Sequence, residues 1–458
     1  MSDTDLCDVD ATSSGIFLET TITNLPDIVL SSIFQHLHWK EKIMAVKAFP
    51  AWSRILDSTL GWKSLENDRN YPHSFNALES TNYLSEEITC IAQYGQFFTH
   101  AVIWLKDFLR IPEETDFALL GALETHCFRL KSLVIYHPPK ISSSSIIRSV
   151  VPYIKPLQRM FSFSPSLQLS LFRLLYFSKE ARTGAIDLLH FYHTHNVLQK
   201  VSCLDFSHGL FMASSVRPMN SLVYCKSLRV LKCPIQYLNT LILQQLVEFS
   251  LQELYVVNDD HTLSMNYVEE SAIEWHALQL IPGRNLKVQY VFRCRPVVMC
   301  PNPYARSLVF DSLICRISRE LLRSIADKYG DTLEQIAFML AVYDPKTPFS
   351  YMEDLPANIQ YMAARLKCVH TVLLDHFIPK AALISLVRHA PTLKTLHVYE
   401  HKIMFGKQAV NTVEEIEELK STISEALGYS WKPVKEYVSF YKLIYRQSLL
   451  FENYFRLF

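Results

Sequence analysis

The chain has 458 residues, with 45 Lys plus Arg against 45 Asp plus Glu, a formal net charge of zero. That balance supplies no global attraction to nucleic acid or to an anionic membrane, and at 49% apolar and 20% charged residues the composition is that of a folded protein with a large core. Ten glycines, without a G-x-G-x-x-G or a G-x-x-x-x-G-K-[ST], argue against the common nucleotide-binding folds, where backbone must approach phosphate closely. No apolar run reaches the roughly 18 residues of a membrane span; the nearest, Leu167 to Phe177, contains Arg173.

The first segment, MSDTDLCDVDATSS, is acidic and polar, with neither the basic start nor the apolar stretch of a secretory signal. Residues 1–22 are expected to be disordered. The ten cysteines lack a C-x-x-C pair and read as reduced core thiols, so the expected compartment is cytosol or nucleus.

Three short helices are predicted next. Thr23 or Asn24 can cap the first, Leu25 starts it, and Pro26 and Asp27 suit its first turn. Val29, Ile33 and Leu37 share one face, with Leu30 and Phe34 beside them. The second spans Lys42 to Phe49 with Ile43 and Val46 inward, limited by Pro50. The third begins near Ala51, carries Trp52, Ile55 and Leu56, and breaks at Gly61 before Trp62. Three short helices cannot cover so many large apolar groups, which points to a docking surface for another protein or for the rest of the chain.

Leu25-Pro26-Asp27, then Ile33-Phe34 and Leu37, then Trp52 and Trp62 resemble the F-box motif over roughly residues 24 to 65. The chain departs from the family's pattern at Ile28, at Ala48 to Pro50 and at Gly61. The resemblance implies binding to the Skp adaptor of cullin-RING ubiquitin ligases. By motif position it implies adaptor contacts at Leu25, Pro26, Leu30, Ile33, Phe34 and Trp52, some of which could instead be internal packing.

After Leu65 a Leu-x-x-Leu-x-apolar grammar recurs. Its clearest copies contain Leu130 and Leu133, Leu228 and Leu231, Leu251 and Leu254, Leu333 and Ile336, and Leu393 and Leu396. Weaker copies contain Val201 and Leu204, Leu157 and Met160, Val369 and Val372, and Leu308 and Phe310. The segments at Leu286 and Phe98 fit least well. Helical patterns intervene, as over Ser318 to Gly330 and Ile378 to Pro391; in the second, Ala381, Ile384, Leu386 and Val387 form the expected inner face. A strand and a helix recurring at such intervals are the signature of a leucine-rich-repeat solenoid.

The predicted fold is therefore α/β: an N-terminal three-helix F-box (23–66), then a leucine-rich-repeat solenoid (67–410), a horseshoe of parallel strands with outer helices. Residues 411–458 form a capping helix, with Glu415 at the third position of a capping box begun by Thr412, and an aromatic tail.

His190, His193 and His195 invite a metal reading, but nothing with ligand spacing completes the set, and no nucleophile–base motif appears. No cofactor is expected. The resulting reading is a non-catalytic substrate receptor of a Skp–cullin–F-box ligase. Its protein substrate is expected on the concave strands, at Glu253 and Tyr255 and at Lys394, His397 and Tyr399. The alternative is a non-ligase scaffold held with the adaptor alone.

Overall fold

The computed structural model describes residues 25–62, 64–66, 77–104, 114–136, 146–172, 192–205, 220–258, 273–281, 285–292, 301–311, 317–339, 349–405 and 413–435. The predicted caps Thr23, Asn24 and Thr412, His190, and the aromatic tail from residue 436 lie outside these residues. The chain forms two compact units, Met1–Ser170 and Leu171–Phe458.

The first unit opens with helices α1 (Asp27–His36) and α2 (Trp39–Ala48), a 3-10 turn at Pro50–Trp52, and α3 (Ser53–Leu56). Helix α1 starts two residues later than expected, after Pro26, whose carbonyl accepts the amides of Val29 and Leu30. Helix α2 starts three residues earlier, because the His38 amide donates to Glu41 Oε2 at 2.7 Å and so caps its first turn. Its buried side chains are Trp39 and Lys42, while Ile43 and Val46 are only half-buried.

Parallel strands follow, alternating with helices: β1 (Ser64–Glu66), α4 (Ala77–Tyr94), β2 (His100–Trp104), α5 (Glu114–His126), β3 (Ser132–Tyr136) and α6 (Ile146–Phe163). Strand β1 pairs with β2 from Ser64↔His100, and β2 with β3 from His100↔Ser132. Helix α4 packs on α5, and α5 on α6. The segment with Leu157 and Met160, read as a strand, lies inside α6. Leu-x-x-Leu is also helical spacing, and Ile154, Leu157 and Met160 bury one stripe of that helix. The strand of this repeat comes later, as β4 (Gln168–Phe172), which crosses the boundary between the units.

Among the described residues of the second unit, eight strands pair in parallel and in chain order: β5 (Val201–Asp205), β6 (Val230–Pro234), β7 (Glu253–Asn258), β8 (Lys287–Phe292), β9 (Ala305–Asp311), β10 (Gln335–Met339), β11 (Thr371–Leu374) and β13 (Thr395–Val398). A small pair, β12 (Ile378–Pro379) with β14 (Ile403–Met404), stands apart. The described helices between these strands include α7 (Thr240–Phe249), α8 (Arg319–Tyr329), α9 (Phe349–Arg365) and α10 (Lys380–His389). Asn239 Oδ1 caps α7 at the Ile242 amide, and Ser318 Oγ caps α8 at the Leu321 amide. This regular parallel ladder with intervening helices is a leucine-rich-repeat solenoid.

Each repeat is keyed to the one before. The amides of Arg229, Gln252, Lys287, Glu334, His370 and Lys394 donate to carbonyls of the preceding repeat, at Ser202, Arg229, Gln252, Arg306, Glu334 and His370. Within the core, Phe292, Phe310 and Phe338 share one register row and stack at 5.1 and 4.9 Å, nearly parallel. On α10 the buried face is Ala382, Leu383, Leu386 and Val387; Ala381 and Ile384 turn outward from it.

Helix α11 (Val413–Leu427) is the last described helix, buries Leu419 and Ile423, and stops at Gly428, whose φ of 75° suits glycine. Val413, at its first position, is exposed. Lys380 pairs with Glu418, tying α10 to α11. Trp431 then turns under the last repeat, 2% exposed, with Nε1 donating to Leu396 O at 2.7 Å. Trp431→Ala should lower the stability of the second unit by about 3–5 kcal/mol, through the cavity and the orphaned Leu396 carbonyl. Urea unfolding followed by circular dichroism measures it.

Candidate functional site

The chain enters α1 through Leu25 and Pro26, and Arg54 holds that entrance. Its Nε donates to Asp27 Oδ1 at 2.6 Å, one terminal nitrogen to Leu25 O at 3.0 Å, and the other to Ala51 O at 3.1 Å. These bonds are solvent-exposed and add little stability, but they fix where α1 starts relative to α3. Behind them, Leu30 and Phe34 are fully buried, and Trp52 meets Phe34 edge-on at 6.1 Å.

The six expected adaptor contacts therefore divide. Leu30, Phe34 and Trp52 form the interior of the helical unit, Leu25 is half-buried, and Pro26 and Ile33 are at the surface. Two neighbours outside that set share the outward face of α1: Ile28 is 80% exposed and Val29 40%, beside Ile33 at 37%. Helical geometry explains the split, since Leu30 and Phe34 lie one turn apart on the inner side and Val29 and Ile33 one turn apart on the outer side. Met44 and Leu60 are also exposed.

Leu60 projects from a turn that is held on three sides. Ser31 Oγ donates to Leu60 O at 3.2 Å, Lys42 Nζ to Gly61 O at 3.0 Å, and Trp62 Nε1 to Leu56 O at 2.8 Å. The turn requires glycine at 61, because a Cβ there would lie 2.4 Å from Ile55 O. The Lys42 ammonium also sits 5.0 Å from the Trp62 ring, and burial lowers its pKa from the usual lysine value.

Trp62 stacks on Tyr94 at 4.8 Å and meets Phe98 edge-on at 5.2 Å. Cys90, nearby on α4, has its thiol pushed up to about 12, by burial first and then by Glu87. Lys40 reaches Glu86 at 3.3 Å. The helical unit is thus fastened to α4 through Trp62 and Lys40, while Lys42 holds the turn that carries Trp62. Lys42 was not legible as a core residue, because a lysine on a short helix reads as solvent-facing.

The repeat residues expected to hold a substrate lie in two places. Tyr255 is 5% exposed and its hydroxyl donates to Glu253 Oε2 at 2.8 Å, so both are engaged with each other on the sheet. On the same face, one strand back, Lys232 is fully buried and lies 3.9 Å from the buried Asp205. Further along, Val257, Val291, Val309 and Leu373, which alternate with the core residues, are also buried. His397 and Tyr399 are half-buried, and burial lowers the His397 pKa. Lys394 is exposed just before β13, beyond a charged run in which Glu334 meets Arg306 at 3.3 Å and His370 at 3.9 Å. Among the described residues no group of His, Cys, Asp or Glu could hold a metal ion; His193 instead stacks on Tyr224.

The fold defines the class: a leucine-rich-repeat protein with a helical unit at its N-terminal end. No family model matches the chain, and no curated protein matches it. Among solved structures it is similar to the leucine-rich repeat-containing protein LegL7 from Legionella pneumophila, at 12% identity and a TM-score of 0.38, over 81% of this chain and 99% of that one. It is also similar to a structure of the Rad7 and Elc1 complex in yeast, at 10% identity and a TM-score of 0.40, over 94% of this chain and 100% of that one.

Lys42 makes stability depend on pH in a definite sense. Its folded pKa lies below the unfolded value of 10.5, so between the two the unfolded state binds more protons. Stability from this group should therefore rise as pH climbs from the folded pKa towards 10.5. Lys42→Met should remove that rise, read as a flatter dependence of the urea midpoint on alkaline pH.

Proposed function

We propose that the chain is the non-catalytic substrate receptor of a Skp–cullin–F-box ubiquitin ligase. Residues 24–65 act as the F-box and bind the Skp adaptor, and the repeats hold a protein substrate. The observation that supports this reading is the outward face of α1. Ile28, Val29 and Ile33 stand exposed on a helix whose inner face is already satisfied by Leu30, Phe34 and Trp52. A large apolar face left outside a completed core is the mark of an interface. It follows directly after Leu25-Pro26, where the F-box resemblance places the adaptor.

On this reading the chain does no chemistry. It raises the local concentration of a substrate lysine near a ubiquitin carrier, so orientation is its catalytic contribution. The fastening of the helical unit to α4 by Trp62 and Lys40 suits that role. Substrate contact on the sheet would involve Lys394, His397 and Tyr399, which retain exposure, more than Tyr255. The compartment proposed is cytosol or nucleus.

The test is co-purification of the full chain with the Skp adaptor and a cullin, beside Val29→Asp/Ile33→Asp, which changes only exposed side chains. Wild type should bring down both partners and the variant neither, with unchanged circular dichroism. Adaptor without cullin would favour the non-ligase scaffold. Equal capture by the variant would overturn the assignment of this face.

A further inference from the structure

A second exposed apolar feature lies on the first unit, away from α1. Phe128 is 55% exposed and Phe163 65%. Their placement is not independent. Arg159 on α6 pairs with Glu124 on α5 at 2.8 Å, which sets the two helices in register. Phe128 lies four residues after Glu124, and Phe163 four after Arg159. Phe163 sits one turn beyond that cross-link at the end of α6, and Phe128 lies in the turn that follows α5. Ser164 Oγ donates to Phe128 O at 3.0 Å and holds the two turns together.

Exposed cations lie on the same two segments. Lys155, Arg159 and Phe163 follow one another at four-residue steps along α6, all exposed. Arg129 and Lys131 are exposed on the turn from Phe128 into β3. The Glu124 side chain, paired with Arg159, is 14% exposed. In a chain of zero formal net charge, these four cations sit on the segments that carry the two aromatic rings.

We propose that this edge is a docking site for an acidic peptide segment carrying large apolar side chains. The two rings supply the apolar anchor, and Arg129, Lys131 and Lys155 supply the charge complement. A peptide fits better than an anionic bilayer. Two adjacent rings make a narrow contact, and the zero net charge gives no long-range pull towards a membrane surface. The assignment rests on the receptor reading only in naming that peptide as part of a substrate.

The test is selection of a random phage-displayed peptide library on the full chain, followed by titration of a fluorescent synthetic consensus. The consensus should combine Asp or Glu with Phe, Leu or Trp. Its binding should weaken roughly tenfold in Phe128→Ser/Phe163→Ser and in Lys155→Glu/Lys131→Glu, and should fall as NaCl is raised. Both variants should still bring down the adaptor. Loss of adaptor capture by the wild type with peptide binding intact would sink the receptor role and leave this site standing. A consensus without acidic residues, equal binding by both variants, or binding of phosphatidylserine vesicles without any peptide consensus would overturn the proposal.

Discussion

A strand with one helix cannot bury its own apolar face, and every other feature of this molecule depends on that. The strand's leucines need a second strand beside them, and that strand needs a third. The carbonyl-to-amide steps from Ser202 through His370 show the requirement met repeat by repeat in the second unit. The row Phe292, Phe310 and Phe338 shows the same requirement in the core, where each ring covers a face of the next. Such a stack has no natural end, so the last repeat must be covered by something else. Trp431 and α11 do this at the end of the second unit, with the indole nitrogen satisfying the Leu396 carbonyl.

In the first unit the helices before β1 are both a cover and the element proposed to bind the adaptor. Trp62 packs on Tyr94 and Phe98, and Lys42 spends a buried ammonium on the Gly61 carbonyl. A buried lysine is a costly way to close a turn. Its hydrogen bond, with that from Ser31, sets the turn that displays Leu60 beside α1. A helical unit with its own core and a rigid seat can leave one apolar face free, and that separation is what the proposed adaptor role needs.

Much of this was readable from residue pattern. The parallel repeat with helices between strands followed from Leu-x-x-Leu spacing, and even the least regular segments, at Phe98 and Leu286, lead into strands. The error at Leu157 and Met160 has a physical cause, since a three-residue step suits both a repeat strand and an amphipathic helix. The inner face of α10 was misjudged by one position at Ala381 and Ile384, where aliphatic residues occupy adjacent faces and periodicity cannot choose. In the candidate site, the residue pattern marked the α1 segment but could not separate Leu30 and Phe34 from Ile28 and Val29. Which face turns inward is decided by Trp52 and the Arg54 clasp, which come from elsewhere in the chain. Lys42 and the exposed pair Phe128 and Phe163 are invisible in the sequence for the same reason: each is placed by a bond to a residue distant in the chain.

The central claim is that α1 and the turn after α3 form one partner-facing surface on a rigid seat. Hydrogen–deuterium exchange of the full chain, with and without purified Skp adaptor, tests it most directly. The account predicts added protection over residues 25–37 and 57–62, with α4 and the repeat strands unchanged. Protection confined to the repeats, or none at saturating adaptor, would contradict it.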